Sequence, residues 1–548
     1  MMKNLLLLLP WVPAFGAETL AAPAPGAQNP GDLIWSTQLD GECKACPTVG
    51  PDGTLYYATN RDGGVLYKLD PNTGAILDQQ DLPGAVEHSV AMGDQGYLYL
   101  NTLNLPLASG LPPRAVAAAY RSGNLQQVWE STLMQGADTS PILGRNNRVY
   151  LGVVADPRNP IHTEGRYYSF DGLTGDVHID MWLEGWAATP GVVDEDGRVF
   201  FGVEDIQGSI GPNNIWPGYF YALTGEDPVG GGSDGPQAWP KFRSDLGDFG
   251  SPVGYAEGVV YTTCRDGYLY GFEAATGILT LQFDLGAPSW TGVTIGRDGQ
   301  SGNLVLYTGT QNIDIGRGGQ SRIVAVAVDG SINGNLLWQA SVPFGMSFGN
   351  IALDNLGNLY FTCAGGQLHA YSSQGTALWN VLLPGGPGGG LGGPTILDNG
   401  WIVVGSVTGE LMAYQGNGQH LADDVPWPKY KRNLRNTAHA LDPIRDRLRI
   451  LPASLQAGMQ GQVEVNGAVP GIPVHLVYSL FGVGWTQVPG TSLVLALQQP
   501  DLAFSAPANP LGEVLFSGLV PAGLAGQALW LQAVQLDQVS LVQVVPVF

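Results

Sequence analysis

Short apolar runs separated by tight polar turns recur along most of the chain. Eight times a turn leads into an apolar residue and usually an aromatic. The eight are Asp52-Gly53-Thr54-Leu55-Tyr56, Gln95-Gly96-Tyr97-Leu98-Tyr99, Asn146-Asn147-Arg148-Val149-Tyr150, Asp196-Gly197-Arg198-Val199-Phe200, Glu257-Gly258-Val259-Val260-Tyr261, Gly302 to Tyr307, Leu356-Gly357-Asn358-Leu359-Tyr360 and Asn399-Gly400-Trp401-Ile402-Val403. Gly or Asn at the turn accepts positive φ at little cost, and a strand, a tight turn and a second strand give this pattern. A second hairpin and a third strand follow, clearest in 64–69, 267–272, 366–371 and 409–414. A glycine turn and often a tryptophan close the unit, as in Gly175 before Trp182, Gly334 before Trp338 and Gly375 before Trp379. Four strands in roughly 40 to 60 residues are the period of a propeller blade.

The eighth unit ends near Gly416 or Gly418 without a fourth strand, whereas Leu33 to Leu39, with Trp35, is an orphan strand. It is expected to complete the last blade, which hides two open sheet edges. The fold class predicted is all-β: an eight-bladed propeller of four-stranded blades over 32–440, a linker over 441–449 and a C-terminal β-sandwich domain over 450–548. The last domain is set apart because no Lys or Arg follows Arg449. Alternating runs such as Gln462 to Val465, Val474 to Leu480 and Leu529 to Val534 suggest about seven strands there.

Ala-Tyr or Leu-Asp, then Thr-Gly or Ser-Gly, then Trp, resembles the repeat of pyrroloquinoline quinone (PQQ) propellers. Leu69-Asp70-Pro71-Asn72-Thr73-Gly74 is its best single match. The resemblance implies either of two activities. Some members are calcium-dependent quinoprotein dehydrogenases, which bind the quinone against a Trp and hold calcium with carboxylate and amide oxygens. Others, such as the lipoprotein that assists outer-membrane protein assembly, bind partners. The adjacent Cys-Cys pair of many of the enzymes is absent, and no residue matches their calcium ligands or catalytic aspartate. The expectation is therefore a non-catalytic binding or scaffolding protein with no cofactor, and the alternative is an oxidoreductase using PQQ and calcium.

Composition narrows the partners. A formal net charge of -23 repels a phosphate backbone, which excludes nucleic acid and leaves a protein or glycan. Lys3, the apolar run Leu5 to Val12 and the small residues around Ala14 to Ala17 read as an export signal over 1–17, with cleavage near Ala22 as the other choice, followed by a linker over 18–31. No run of about 20 apolar residues follows, so no transmembrane segment is expected, and the location is periplasmic, cell-surface or secreted.

Local chemistry is sparse. Cys43-Lys44-Ala45-Cys46 lacks the His that haem attachment requires, and in an oxidising compartment Cys43 and Cys46 are expected to form a disulfide across a turn. Cys264 and Cys363 hold the same slot two blades apart and are expected to stay free. The seven histidines show no metal spacing, and Ser347 within Gly345 to Gly349 lacks the strand-then-helix setting of a nucleophile elbow. Lys429, Lys431, Arg432 and Arg435 read as a solvated linker face. Trp239-Pro240-Lys241 and Trp427-Pro428-Lys429 read as equivalent closing-strand segments four blades apart.

Second-hairpin loops are enlarged at 103–113, 155–165, 204–218 and 311–321. Long loops on a rigid scaffold carry binding. The expected ligand face is their rim: Asp156, Arg158, His162, Glu164, Glu204, Asp205, Asn213, Asn214 and Trp216, with Asn312 and Asp314 across the channel mouth.

Overall fold

The computed structural model describes residues 29–548 except 62, 104–114, 134–138, 145–146, 155–164, 188, 205–216, 226–236, 312–320, 343–344, 347–349, 386–392, 441, 443, 445–447, 451–454, 469–470, 489–493, 510–512, 536–537 and 541. Contacts divide the chain into a unit over Pro30–Ile444 and one containing Arg445–Phe548.

Among the described residues of the first unit, eight four-stranded antiparallel sheets follow one another. The first is Thr48–Val49, Leu55–Ala58, Val65–Leu69 and Ile76–Asp81. The last takes Thr395–Ile396, Trp401–Gly405 and Glu410–Gln415, then Leu33–Gln38 as its outer strand, with Trp35 opposite Ala413. First strands are buried and fourth strands largely exposed, so the first strands gather around the axis.

Indole rings join neighbouring sheets. Trp129 Nε1 donates to the Gly172 carbonyl at 2.8 Å, and Trp239 Nε1 donates to the Ala274 carbonyl at 3.1 Å. Trp35 and Trp338 repeat the arrangement on Pro71 and Ser373. Each ring lies on a turn glycine: a Cβ on Gly175 or Gly277 would come within 2.6 Å of the indole, and both have positive φ. Trp182 departs from the expected closing role. Ile179 takes the buried place beside that strand's bulge, and Trp182 stands 37% exposed with the Arg166 guanidinium 3.7 Å from its ring centre.

Residues 427–440 are not a solvated linker face. Trp427 exchanges backbone hydrogen bonds with Ile295, at 2.8 and 3.2 Å. The carbonyls of Pro428, Leu434, Arg435, Thr437 and Ala438 accept from Leu353, Val49, Met92, Leu143 and Val193 at 2.8–2.9 Å. Six of the eight first strands are thus tied to one segment, mostly through their last residue, beside the first-hairpin turn. To follow them around the axis the chain turns repeatedly: Lys431, Arg432, Asn436 and Ala438 all have positive φ, at 55–71°. Each such residue costs on the order of 1–3 kcal/mol and persists where its surroundings over-determine it. Trp427 therefore lies on the axis, whereas Trp239 lies between blades, and their similar sequences do not make them equivalent.

In the second unit ten strands are described, against the seven or so expected. A three-stranded sheet containing Gln460–Asn466 and a larger one containing Ala528–Gln535 both contribute to one apolar cluster, through Val465 and Phe516 from one and Leu476, Leu531 and Val545 from the other. No helix among the described residues is long and apolar enough to cross a membrane.

Candidate functional site

Of the rim residues, Asp156, Arg158, His162, Glu164, Asp205, Asn213, Asn214, Trp216, Asn312 and Asp314 lie outside the described residues. Glu204 is described. It ends the strand Val199–Glu204 and exchanges backbone hydrogen bonds with Trp186, at 2.7 and 2.9 Å. Its neighbours form a cluster that sequence reasoning missed. A Cβ on Gly250 would lie 2.9 Å from Asp248 Oδ1 and 3.0 Å from both Glu204 Oε1 and Trp290 Cδ1. Asp248 accepts from the Arg265 guanidinium at 2.9 Å and from Trp290 Nε1 at 3.2 Å, and Arg265 stacks 4.1 Å from the Trp290 ring centre. Burial raises the Asp248 carboxyl pKa, outweighing the opposing pull of Arg265. The arrangement holds the link between the fourth and fifth blades to Arg265 and Trp290, beside the end of the strand Val199–Glu204.

The second concentration of polar groups lies on the axis, where Lys429, Lys431 and Arg435 are buried and Arg432 half-buried, rather than solvated. Lys429 Nζ donates to the carbonyls of Tyr430 and Asn433, at 3.0 and 3.2 Å, and to Asn436 Oδ1. Lys431 Nζ donates to the Pro141 carbonyl. Arg432 donates to the carbonyls of Pro426 and Asp442, and Arg435 pairs with Asp94 at 2.6 Å. The repeated turns of the segment bring its own carbonyls, those of Pro426, Tyr430, Asn433 and Asp442, to these buried N–H groups, and the ring adds the Pro141 carbonyl. Burial pushes Lys429 down to about 8 and Arg432 down to about 10. Lys431 is held well below the usual lysine range by burial and by the Lys429 charge.

The expected Cys43–Cys46 disulfide is not formed; both are free, buried thiols. They face different neighbours. Cys43 packs where Gly405 leaves room, 2.5 Å from the place a Cβ would take, whereas the Cys46 sulfur lies 2.6 Å from the corresponding place on Gly393. Burial pushes Cys43 up to about 12 and raises Cys46 as well. Cys264 and Cys363 are also separate buried thiols. His369 stacks on Phe361 with Nε2 3.5 Å from Cys363 Sγ, and burial pushes its pKa down to about 4. Ser347 lies outside the described residues.

Calcium is the metal the resemblance raises. Among the described residues no group of three or more His, Cys, Asp or Glu is placed to hold a metal. The carboxylates beside the axial segment are engaged: Asp94 with Arg435, Asp194 with Arg198, and Asp354 with Tyr360 and Asn358. The axis itself presents amines, and calcium takes six to eight oxygen ligands. The described axial residues do not fit that ion.

The family described as outer membrane protein assembly factor BamB matches residues 26–180. No curated protein matches the chain. Among solved structures, the quinohemoprotein alcohol dehydrogenase of Pseudomonas putida HK5 is 14% identical, with a TM-score of 0.51 over 71% of this chain and 76% of that one. That of Comamonas testosteroni gives 14%, 0.50, 71% and 76%. BamB from Moraxella catarrhalis is 17% identical, with a TM-score of 0.49 over 70% of this chain and 98% of its own. The family match and the shared fold bear out the resemblance to PQQ-like repeat propellers.

Proposed function

We propose that this chain is an exported, non-catalytic binding or scaffolding propeller of the cell envelope or the extracellular space. It takes a protein or glycan partner on the rim of enlarged second-hairpin loops, where Trp216 is the anchor. The observation that carries this reading is the axial segment. Residues 427–440 fill the end of the axis beside the first-hairpin turns, so the other end, with the rim, is the one offered to a partner. The clamp of Asp248, Arg265 and Trp290 beneath Glu204 supports it, because a rigid base lowers the ordering cost of a loop-borne site. The description of the matched family, an assembly factor, supports a protein partner over a glycan.

Two measurements test the reading. Adding pyrroloquinoline quinone and calcium to purified protein is expected to give no bound quinone absorbance, no rise in melting temperature and no dye-linked alcohol oxidation. Quinone binding with turnover would overturn the non-catalytic part. For the rim, hydrogen-exchange footprinting with a partner captured by cross-linking is expected to protect 155–165 and 204–218. Protection confined to the turns near Gly53, Gly197 and Gly357 would place the site on the opposite face.

A further inference from the structure

Where other blades wedge an indole against the next blade's turn glycine, the fifth blade puts a leucine. Leu281 stands opposite Gly271 just before the strand's bulge, the place that Trp129 takes opposite Ala119 and Trp338 opposite Ala325. It lies on the sixth blade's turn: a Cβ on Gly334, whose φ is 58°, would come within 3.0 Å of Leu281 Cδ1. There the turn bonds the strand itself, the Gln282 amide donating to the Ile332 carbonyl at 2.6 Å. Asn333 is thereby held beside the outer strand Leu279–Asp284. At this junction Tyr268, Gln282, Phe283, Asp284 and Asn333 line a cleft of about 510 Å³, within the size range of small-ligand sites.

Tyr268 and Phe283 are half-buried rings, and Tyr268 stands opposite Asp284 across the hairpin. Asp284 Oδ1 accepts from the Gly286 amide at 2.8 Å, which orients a carboxylate that has about four acceptor sites. The Gln282 carboxamide meets the Tyr270 hydroxyl, and Asn333 stands exposed. Each carboxamide offers two donors and two lone pairs. No Lys or Arg is among the described lining residues. We propose that this cleft binds a neutral hexose unit of a glycan, with one C–H face of the sugar against Tyr268 and its hydroxyls on Asn333, Gln282 and Asp284. A hydroxyl both donates and accepts, so a ring of them serves carboxamides and carboxylate together. An anion is repelled by Asp284, and a cation gives the carboxamide N–H groups nothing to donate to. The negative face of an aromatic ring suits the slightly positive C–H hydrogens of a sugar. None of these residues belongs to the rim or to the axial segment.

Saturation-transfer NMR on the full chain tests the site, with the methyl glycosides of glucose, galactose, mannose and N-acetylglucosamine, and with tetramethylammonium as the cationic control. At least one sugar is expected to give a saturable signal, and tetramethylammonium none. Tyr268→Leu keeps apolar bulk but removes the flat ring, and should weaken binding about ten-fold. Asn333→Ala should weaken it about five-fold, the size expected for a neutral hydrogen bond. Circular dichroism checks that Tyr268→Leu folds; if it does not, Asn333→Ala decides, because that side chain is exposed. No saturable sugar signal overturns the proposal, as does unchanged affinity in the variants or binding of tetramethylammonium in place of any sugar. The assay holds no protein partner, so its result is separate from that of the rim footprint.

Discussion

Two parts of the propeller hold cations by opposite means. At the foot of the rim, Arg265 meets a carboxylate, Asp248, and an aromatic face, Trp290. On the axis, Lys429 and Lys431 meet carbonyls and an amide oxygen. The first arrangement is paired and self-contained, so the link between the fourth and fifth blades needs no ligand to be stable. The second keeps amines out of water, held by a segment whose backbone bonds to six strands and whose conformation includes four positive-φ residues. A cation next to a carboxylate is held by charge; an amine among carbonyls is held by hydrogen bonds, and burial works against its charged form.

That contrast is most easily broken at Asp248. Asp248→Ala strands the Arg265 guanidinium, and removing one partner of a buried pair costs about 3–5 kcal/mol. Arg265 keeps 14% side-chain exposure, so the low end, about 3 kcal/mol, is expected in urea unfolding. Adding Arg265→Met should recover most of it. If the double variant is no better than the single one, the pair does not hold the joint at this link.

The axial amines should show themselves through pH. Burial sets the folded-state pKa of Lys429 at about 8, below its value of 10.5 when solvated. Between those values the unfolded chain binds a proton that the folded chain does not, so stability is lost as pH falls from about 10.5 towards 8 and changes little below, about 3 kcal/mol in all. Lys429→Met removes that slope. Melting temperatures of wild type and variant at pH 8 and pH 10 check it: wild type should gain on the variant at the higher pH. Parallel behaviour would mean that the amine is solvated.

Much of the propeller was legible because its turns need residues few others can replace. Gly53, Gly197 and Gly357 have positive φ, and Gly175 and Gly277 also leave room for a neighbouring blade's indole. Each signal repeats with the blade, and repetition separates it from chance. The axial segment makes its bonds once, to six different strands, so it has no period to read. Its cations read as solvated because their burial depends on turns of the segment that only its bonds to distant strands impose. The copied Trp-Pro-Lys misled for a related reason: Trp427 and Trp239 share neighbours in sequence but not in space. The clamp beneath Glu204 left no trace either, since Asp248, Arg265 and Trp290 come from a link, a minimal turn and another link. Cys43 and Cys46 are close in sequence, but the room made by Gly405 and Gly393 directs them to different neighbours.

The smallest predicted effect separates charge from shape at the rim. Arg265→Lys keeps a cation beside Asp248, so the Coulombic part of the joint survives. What it loses is the planar guanidinium stacked over Trp290 and the fixed geometry of the bond to Asp248, since an ammonium is a compact, strongly hydrated charge on a flexible stem. The stacking is worth about 0.5–2 kcal/mol, towards the lower value where solvent reaches the ring, and Trp290 is half-buried. A loss of about 1 kcal/mol in urea unfolding is expected, together with a change in Trp fluorescence as the cation leaves the indole face. A loss as large as that of Asp248→Ala would mean that the joint depends on the guanidinium's shape, whereas no loss at all would reduce it to a simple ion pair. Either outcome would redraw the contrast with the axial lysines, whose ammonium groups already hold their carbonyls without a planar fork.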